Sequence, residues 1–379
     1  MIKNIEVKNF KAIESAKVKL TPLTAFIGYN GMGKSSLLEA LQMFNSIVTE
    51  GLDSAVRPWR EFEHIYYKGK KKKRKFIKDG IELQFAPMEF AFNVKLATKS
   101  PLNPTKFSTS IGQEISSVGN IFFIEEKVSY KQFERSRDAD NNYITQERKA
   151  PWQTPDRSIL SAELEIRRYV ESWQFLSMNT FLMGDPHSQK KTSGPITLHK
   201  DGRNIAEFLL SIRDKDIEVY KGILETLQYV LPYAKDLQPQ ITQELEKMVY
   251  LQLSEQDFKL PGWMLSTGTL KILALLAVFR HPEPSPLIVI EELENGLDPR
   301  TIHLVITEIR NYIDNKKGQV LITSHSPYLL DQLHISQIVF VERKDEKVSL
   351  SRPADDEEVL DWSKKFAPGQ LYTQKGFSN

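Results

Sequence analysis

An eight-residue stretch of the sequence, from Gly28 to Ser35, combines glycines with one lysine and one hydroxyl at fixed spacing. It reads Gly-Tyr-Asn-Gly-Met-Gly-Lys-Ser and fits the pattern G-x-x-x-x-G-K-[ST] at every fixed position. Glycines let the backbone turn tightly and bring its N–H groups against phosphate oxygens, because no Cβ holds the phosphate off. Lys34 can then reach the β- and γ-phosphates of a nucleotide, and the Ser35 hydroxyl is placed to bind Mg²⁺. The stretch therefore predicts a site for a nucleoside triphosphate and Mg²⁺.

Two adjacent carboxylates, Glu291 and Glu292, follow the apolar run Leu287–Ile290. Such a run is typical of a strand buried in a parallel sheet, and ionised groups at the end of a buried strand are paired or serve a metal. In a protein that binds a nucleoside triphosphate, we expect Glu291 to support Mg²⁺ and Glu292 to act as the general base that polarises the attacking water. A solvated strand end is the alternative interpretation.

Three further motifs follow the glycine-rich stretch at a distance. Residues 265–269 read Leu-Ser-Thr-Gly-Thr, residues 296–299 read Gly-Leu-Asp-Pro, and His325 follows a predicted strand. Taken together in chain order, the five motifs resemble those of the ABC-type ATPase superfamily. They are the P-loop (28–35), the signature (265–269), the Walker B strand (287–292), the D-loop (296–299) and the switch histidine His325. The resemblance is to its soluble branch, which includes RecF-like and SMC-like heads and the bacterial OLD-like ATPases of AAA-15 and AAA-21 type. It covers about residues 1–50 and 258–342.

The resemblance implies an ATP site shared between two copies of the chain. ATP is sandwiched head to tail, so that Ser266 and Gly268 of one copy contact the γ-phosphate held by Lys34 of the other. Asp298 lies at the dimer seam and His325 senses the γ-phosphate, although a hydrogen-bonded histidine at a strand end is the alternative for His325. The residues expected to bind the nucleotide are Asn30, Gly31, Gly33, Lys34, Ser35, Ser36, Ser266, Gly268 and Asp298, and those expected to act in hydrolysis are Lys34, Glu292 and His325.

Two features depart from the pattern of the superfamily. The first acid of Walker B is usually Asp, and Glu291 is one methylene longer, so its contact with Mg²⁺ must be re-spaced and slow turnover is an expected consequence. No clear Q-loop is found, and Gln146 is a candidate by position alone.

The elements that position these motifs are predicted from hydrophobic periodicity. Thr24–Ile27 is a β-prone run before the P-loop, and helical spacing follows the P-loop to about Ile47. The apolar segment Ile272–Phe279 predicts a buried helix. A helix over Pro299–Ile313 and a strand over Gln319–Thr323 complete an order of strand, helix and strand that implies right-handed parallel crossovers. The sequence thus predicts an α/β fold: a P-loop NTPase head of ABC type with a mostly parallel core sheet, a β-rich N-terminal lobe and an inserted helical region.

The remaining segments predict a hairpin, further strands and helices of the insertion. Strands are predicted over Ile2–Leu20 as a hairpin, and over Gly80–Phe85, Met88–Leu96, Ile121–Phe123 and Lys127–Phe133. Helices are predicted over Ser158–Val170, Ile205–Ile212, Ile217–Leu231 and Ile241–Met248. We therefore predict an N-terminal ATPase lobe over 1–155, a mainly helical insertion over 156–257, a C-terminal ATPase lobe over 258–350 and a tail over 351–379. No heptad register persists, which excludes long coiled-coil arms.

The composition is that of a globular protein and excludes several classes. The 379 residues are 26% charged and 40% hydrophobic, with a net charge of +2. The absence of cysteine excludes disulfides, thiolate zinc sites and a cysteine nucleophile. No apolar run has the length that a membrane span needs, and no secretory signal is visible. These features favour a cytoplasmic protein without a membrane partner.

Two charged clusters are candidates for partner binding. Lys68–Lys75 holds seven positive charges in eight residues, and Asp355–Glu358 holds four acids. Adjacent cations bind nucleic-acid phosphates through counterion release, but no aromatic residues interleave them, and a solvated loop is an equally valid interpretation. The acidic cluster is a candidate dock for a basic partner.

Our leading hypothesis is an ATPase whose ATP-driven assembly, as a homodimer or a higher homo-oligomer, gates an effector or nucleic acid in bacterial anti-phage defence or DNA maintenance. Fewer than 40 residues follow Glu342, too few for the TOPRIM nuclease domain of OLD-like relatives, so we expect the effector to be a separate chain. The alternative is an ATP-controlled clamp on DNA or RNA. A transporter subunit is a third hypothesis, against which the long spacing between P-loop and signature argues.

Overall fold

The computed structural model describes most of the chain. The described residues are 1–60, 64–65, 67, 81–87, 90–98, 121–130, 133–138, 141–145, 149–154, 156–190, 194–242, 247–255, 258–316, 318–344 and 347–374. The basic cluster Lys68–Lys75 and the Q-loop candidate Gln146 lie outside the described residues.

The strands and helices are numbered here in chain order. The strands are β1 (Ile2–Phe10), β2 (Ile13–Lys19), β3 (Leu23–Ile27), β4 (Ile81–Pro87), β5 (Phe90–Thr98), β6 (Ile121–Tyr130), β7 (Phe133–Arg137), β8 (Asn142–Ile144), β9 (Lys149–Pro151), β10 (Gln174–Leu176), β11 (His187–Ser188), β12 (Ala234–Ile241), β13 (Met248–Glu255), β14 (Phe258–Pro261), β15 (Leu287–Ile290), β16 (Gln319–Ser324), β17 (Ile338–Lys344) and β18 (Lys347–Ser351). The α-helices are α1 (Lys34–Thr49), α2 (Leu52–Val56), α3 (Leu164–Glu171), α4 (Thr180–Met183), α5 (Ile205–Lys215), α6 (Ile217–Val230), α7 (Thr267–Arg280), α8 (Pro299–Lys316), α9 (Pro327–Asp331), α10 (Glu357–Ser363) and α11 (Pro368–Gln374).

The chain divides into two compact units, each built from several segments. The first unit comprises Met1–Leu20, Gly28–Glu171 and Phe340–Ser351, and the second comprises Thr21–Ile27, Ser172–Val339 and Arg352–Asn379. Our four-segment division of the chain into lobes, insertion and tail stays a prediction.

An antiparallel sheet dominates the first unit, with the strand order β2-β1-β4-β5-β6-β7-β8-β9. The predicted N-terminal hairpin is present: Ile5 lies opposite Val18, and Val7 lies opposite Ala16. These four side chains are buried, while the charged residues between them point to the other face, as period-two alternation requires. Helix α1, which follows the P-loop, belongs to the same unit, and its predicted end at Ile47 is two residues short of the observed one.

Two predictions in the first unit are corrected by the structure. Ile121–Phe123 and Lys127–Phe133 were predicted as separate strands, but one strand, β6, runs through to Tyr130, because its polar middle pairs on both sides with β5 and β7. The helix predicted over Ser158–Val170 is broken at Glu163, whose extended ψ of 95° separates a short 3₁₀ turn from α3.

Parallel strands form the core of the second unit in the order β10-β15-β16-β3. Every residue of β3, β15 and β16 is buried, which explains why β15 is a continuous apolar run and why none of the three strands alternates with period two. Ile290 lies opposite Leu176 on one side and opposite Ile322 on the other. The carboxyl ends of these strands therefore share one edge of the sheet, where ligands bind in open α/β sheets.

Helices α4 to α11 and a second, antiparallel sheet also belong to this unit. Its strands follow the order β11-β13-β12, and β14 pairs with β13. The helix predicted over Ile241–Met248 is wrong: Ile241 ends β12 opposite Val249, and Met248 begins β13. The spacing of these two apolar residues is compatible with a helix, but period-two burial of Val249, Leu251 and Leu253 shows that the segment after them forms a sheet face.

Within the described ranges, no helix combines the length and the hydropathy that crossing a membrane would require. The acidic cluster Asp355–Glu358 has a local role, because Asp356 caps α10 by accepting hydrogen bonds from the backbone N–H groups of Glu358 and Val359.

Candidate nucleotide-binding site

The glycines of the P-loop are required by its backbone geometry. Gly31 and Gly33 have φ values of 76° and 106°, which lie in the left-handed region that residues with a Cβ rarely adopt. A Cβ on Gly28 would lie 2.0 Å from the carbonyl oxygen of Val341, and one on Gly33 would lie 2.8 Å from Cγ2 of Val348. The loop is thus fixed by packing in the first unit as well as by its own torsions.

Lys34 begins α1 and folds back over the loop. Its Nζ donates hydrogen bonds to the carbonyl oxygens of Gly28 at 2.7 Å and of Tyr29 at 3.0 Å. The next residue, Ser35, is exposed, so its hydroxyl is accessible to a ligand, whereas Ser36 is buried. The exposed Asn30 lies in the loop itself. A lysine and a hydroxyl at the N-terminus of a 16-residue helix form an anion-binding end, since the first N–H groups of a helix have no acceptor within it.

In the second unit, Glu291 leaves the carboxyl end of β15 at the edge of the sheet. Its backbone N–H donates to the carbonyl oxygen of Leu176 at 2.8 Å, which extends the pairing with β10 by one step. Its carboxylate is half-buried and lies 3.4 Å from Nζ of Lys200. The turn that carries Lys200 is attached to the same edge, because the carbonyl oxygen of Lys200 accepts from the N–H of Ser177 at 2.8 Å.

Glu292 has an unusual backbone. Its φ is 49°, and a non-glycine residue in the left-handed region costs about 1–3 kcal/mol. The backbone N–H of Glu292 donates to Oγ1 of Thr323 at 2.9 Å, and the side-chain amide of Asn295 donates to the Glu292 carboxylate. The carboxylate is exposed at the end of a buried strand, where it is accessible to water.

Glu294 is a site residue that our sequence analysis missed. Its Oε1 accepts a hydrogen bond from the backbone N–H of His325 at 2.6 Å, so the switch histidine is attached to the Walker B turn. Oε2 of Glu294 is buried and has no hydrogen-bond partner among the described residues. The sequence does contain a signal for it, because Glu294 is the third acid in the run Glu-Glu-Leu-Glu, but the prediction considered only the first two acids.

The signature lies where α7 begins. The Ser266 hydroxyl accepts from the backbone N–H of Thr269 at 3.1 Å and so caps the helix. A Cβ on Gly268 would lie 2.7 Å from the carbonyl oxygen of Gly296, which means that the signature and the start of the D-loop are in close contact. Ser266 remains exposed.

Asp298 caps α8 in a similar way. Its carboxylate accepts from the backbone N–H of Arg300 at 2.9 Å and from the Thr301 hydroxyl at 2.6 Å. Hydrogen bonding from Thr301 lowers the pKa of Asp298, which keeps the cap ionised. The predicted seam residue therefore has a structural role within its own chain.

The second unit thus brings together four of the five motifs, namely the signature, Walker B, the D-loop and the switch histidine. The P-loop residues belong to the first unit.

Each of the two units carries an oxygen donor of the kind that binds Mg²⁺ arriving with a nucleotide. Among the described residues there is no group of three or more His, Cys, Asp or Glu side chains that could hold a metal ion. Mg²⁺ in phosphate-transfer sites needs no such group, since it uses one or two protein oxygens together with phosphate oxygens and waters. The exposed Ser35 hydroxyl and the Glu291 carboxylate are oxygen donors of this kind.

Comparisons with known proteins show the family of the chain. Residues 23–331 match the family AAA_21, described as "AAA domain, putative AbiEii toxin, Type IV TA system". An OLD nuclease from Thermus scotoductus (strain ATCC 700910 / SA-01) is 44% identical over 43 residues, which are 11% of this chain and 8% of the length of that relative.

Solved structures of SMC heads are among those that resemble the chain. An SmcHead bound to the C-winged helix domain of ScpA has a TM-score of 0.53 at 16% identity, and the match covers 92% of this chain and 96% of the other. An Smc head domain with an extended coiled coil, bound to the C-terminal domain of ScpA derived from Pyrococcus furiosus, has a TM-score of 0.49 at 14% identity over 96% and 99% of the two chains. The first likeness confirms the predicted fold class, because the chain has a mixed α/β fold with a mostly parallel sheet that is similar to the fold of this SMC head.

Proposed function

From the premise that this chain belongs to the AAA_21 family of AAA domains, we propose that it binds ATP with Mg²⁺ and hydrolyses it to ADP and phosphate. The observation that carries the proposal is the conformation of the P-loop. The loop contains glycines in the left-handed region, and Lys34, at the start of a long helix, donates hydrogen bonds to carbonyl oxygens of the loop. This arrangement is built to bind a chain of phosphates.

Each site residue has a role in this proposal. The loop N–H groups, with Asn30, Gly31, Gly33 and Ser36 at or beside them, bind phosphate oxygens, and Lys34 neutralises the β- and γ-phosphates. Ser35 and Glu291 hold Mg²⁺, which when bound polarises the γ-phosphate and offsets its charge.

Hydrolysis requires a water to be oriented and deprotonated. Glu292 is the candidate for this step, because its carboxylate is exposed beside a fixed backbone. His325 is a candidate γ-phosphate sensor, and its backbone position is set by Glu294. The longer side chain of Glu291, with Lys200 beside it, supports slow rather than fast turnover.

We further infer that two copies sandwich ATP, with Ser266, Gly268 and Asp298 of one copy facing the nucleotide held by the other. Ser266 is exposed at a helix N-terminus, which is the geometry that a γ-phosphate contact from another copy needs. The solved SMC head carries a bound winged-helix domain, and by this analogy the dimer gates a separate effector. We also propose a role in anti-phage defence or DNA maintenance and a cytoplasmic location. These two statements rest on analogy with the family rather than on the geometry of the site.

The test of the proposed site uses two variants and one control. Glu292→Gln should lower ATP turnover at least about 100-fold, because general-base catalysis contributes about 10²–10⁴, while the Kd for labelled ATP stays unchanged and ATP-bound dimers accumulate in light scattering. Lys34→Ala should lose both ATP binding and ATP turnover.

Glu218→Gln is the control, because Glu218 is an exposed carboxylate in the first turn of α6, and this variant should behave as wild type. Undiminished turnover in Glu292→Gln would refute the assigned base, and an unchanged Kd in Lys34→Ala would refute the phosphate site.

The alternative function, an ATP-controlled clamp on nucleic acid, depends on Lys68–Lys75. These residues lie outside the described part of the chain, so this function stays a prediction. Salt-dependent DNA or RNA binding that is lost on neutralising Lys70–Lys73 would support it.

A further inference from the structure

Helix α7 carries one buried charge in an otherwise apolar interior. Lys271 is 5% exposed, and every residue from Thr269 to Phe279 is buried with it. Burial lowers the pKa of Lys271 to about 8, although Glu294 and Glu292 act in the opposite direction. A buried amine is costly unless its N–H groups are used, so the contacts of Lys271 indicate what keeps it in this helix.

Those contacts are with the backbone of the Walker B turn. Nζ of Lys271 donates to the carbonyl oxygen of Glu292 at 2.8 Å and to that of Asn295 at 2.9 Å. The same Glu292 oxygen also accepts from the N–H of Asn295 at 3.1 Å, so Lys271 closes the two ends of a single turn. An ammonium on two carbonyls makes strong, charge-assisted hydrogen bonds.

The peptide groups of Glu292 are therefore held from two directions. Its N–H is fixed by Thr323 at the end of β16, and its carbonyl is fixed by Lys271 from α7. A left-handed glutamate persists only where its surroundings over-determine it. Since the backbone torsions set the direction of the Cα–Cβ bond, these contacts fix where the Glu292 side chain starts, and the amide of Asn295 holds its carboxylate.

Lys271 also lies about one turn after the signature. Ser266 caps α7, and Gly268 contacts the carbonyl of Gly296, so the signature and the Walker B turn are attached to each other at two points. A shift of the start of α7 would thus reach Glu292 through the buried Lys271 side chain and its two hydrogen bonds to the turn.

We propose that Lys271 is a positioning residue that fixes the backbone of Glu292 and so aims its carboxylate at the attacking water, linking the signature helix to the hydrolytic step. The inference rests on the proposed role of Glu292 as the general base.

The test compares two substitutions of Lys271 with Glu292→Gln. Lys271→Met keeps the length and apolar stem but removes the donors, and kcat for ATP hydrolysis should fall about 10- to 100-fold, since a displacement of about 1 Å can cost that much. The KM and the Kd for ATP should stay within about twofold. Lys271→Arg restores donors and should recover part of kcat. A merely structural lysine would instead lower stability without separating kcat from KM.

Arg280→Met is the matched control, because it removes a cation from the other end of the same helix, where Arg280 pairs with Glu308. It should lower the melting temperature and leave kcat unchanged. A kcat in Lys271→Met equal to that of wild type, or a loss shared with Arg280→Met, would overturn the inference.

A second route covers the case in which Lys271→Met does not fold. Thr323→Val removes the acceptor on the opposite side of Glu292 and should lower kcat in the same way, and Thr323→Ser should restore it by returning the hydroxyl. An unchanged kcat in Thr323→Val would show that the backbone of Glu292 need not be held in place for hydrolysis.

If Glu292→Gln itself keeps turnover, the proposed function fails. If Glu292→Gln stops turnover and the Lys271 and Thr323 variants do not affect it, only the inference fails.

Discussion

Replacing Gly33 by alanine tests whether the P-loop depends on packing as well as on glycine torsions. At Gly33 the φ of 106° alone costs an L-residue about 1–2 kcal/mol. The new Cβ would also lie 2.8 Å from Cγ2 of Val348, a buried side chain, and overpacking of this kind costs about 1–3 kcal/mol. Gly33→Ala should therefore destabilise the protein by about 2–5 kcal/mol.

Gly31→Ala supplies the control within the same loop. Gly31 has a φ of 76°, but apart from its chain neighbours no heavy atom of the described residues lies within 4 Å of its would-be Cβ, so only the torsional cost of about 1–2 kcal/mol applies. The entropy that alanine removes from the unfolded chain is common to both variants and cancels in the comparison. Urea unfolding followed by circular dichroism measures the difference, and ATP titration should show weaker binding for Gly33→Ala than for Gly31→Ala.

The crowding term can be isolated by removing the obstructing side chain. In a double-mutant cycle with Val348→Ala, the cost of Gly33→Ala should shrink by about 1–3 kcal/mol, because only the overpacking is relieved. Equal destabilisation by the two glycine variants, or no coupling to Val348, would refute the claim that packing against this residue shapes the loop.

Two further predictions concern charge pairs. Glu126→Leu should destabilise the protein by about 3–5 kcal/mol in urea unfolding, because Arg137, 3.2 Å from Glu126 and 2% exposed, keeps its charge in the interior; a cost below about 1 kcal/mol would contradict this. Lys200→Met should raise the affinity for Mn²⁺, used as a spectroscopic stand-in for Mg²⁺ in the ATP complex, by up to about fivefold, since a partly exposed pair such as Lys200–Glu291 is worth about 0.2–1 kcal/mol. Unchanged or weaker Mn²⁺ binding would count against Glu291 as a metal ligand.

The buried parts of the fold could be predicted because they leave continuous signals. The apolar runs of β15 and β16 and the apolar helix α7 are covered on all sides, so their burial needs no periodicity to be recognised. The P-loop could be predicted because its glycines satisfy a geometric demand that is local to eight residues.

Elements with one solvated face were harder to predict. Ile241 and Met248 lie at helix-compatible spacing, yet strand pairing with distant residues decides their conformation. The break at Glu163 could not be predicted either, because the predicted helix contains no proline or glycine.

In the candidate site, the chemical groups were predictable and their supports were not. Glu292, His325 and Lys34 carry motif signals. Thr323 and Lys271, which hold Glu292, lie 31 and 21 residues away along the chain, and neither residue type announces this role. Such supports depend on which elements the fold brings together, and a single sequence does not record that.

The backbone of Glu292 supports a functional interpretation over a solvated strand end. Asn9, Lys11, Arg60 and Asn141 also have positive φ values, so a positive φ alone does not mark a functional residue, but a turn that only needed to end a strand would be cheaper with asparagine or glycine at position 292. Retaining a glutamate there costs about 1–3 kcal/mol and requires contacts from two other elements. A strained residue that is held so firmly, with its carboxylate left exposed, is expected where the direction of that carboxylate matters, and hydrolysis of a bound nucleotide is the reaction that the neighbouring motifs indicate.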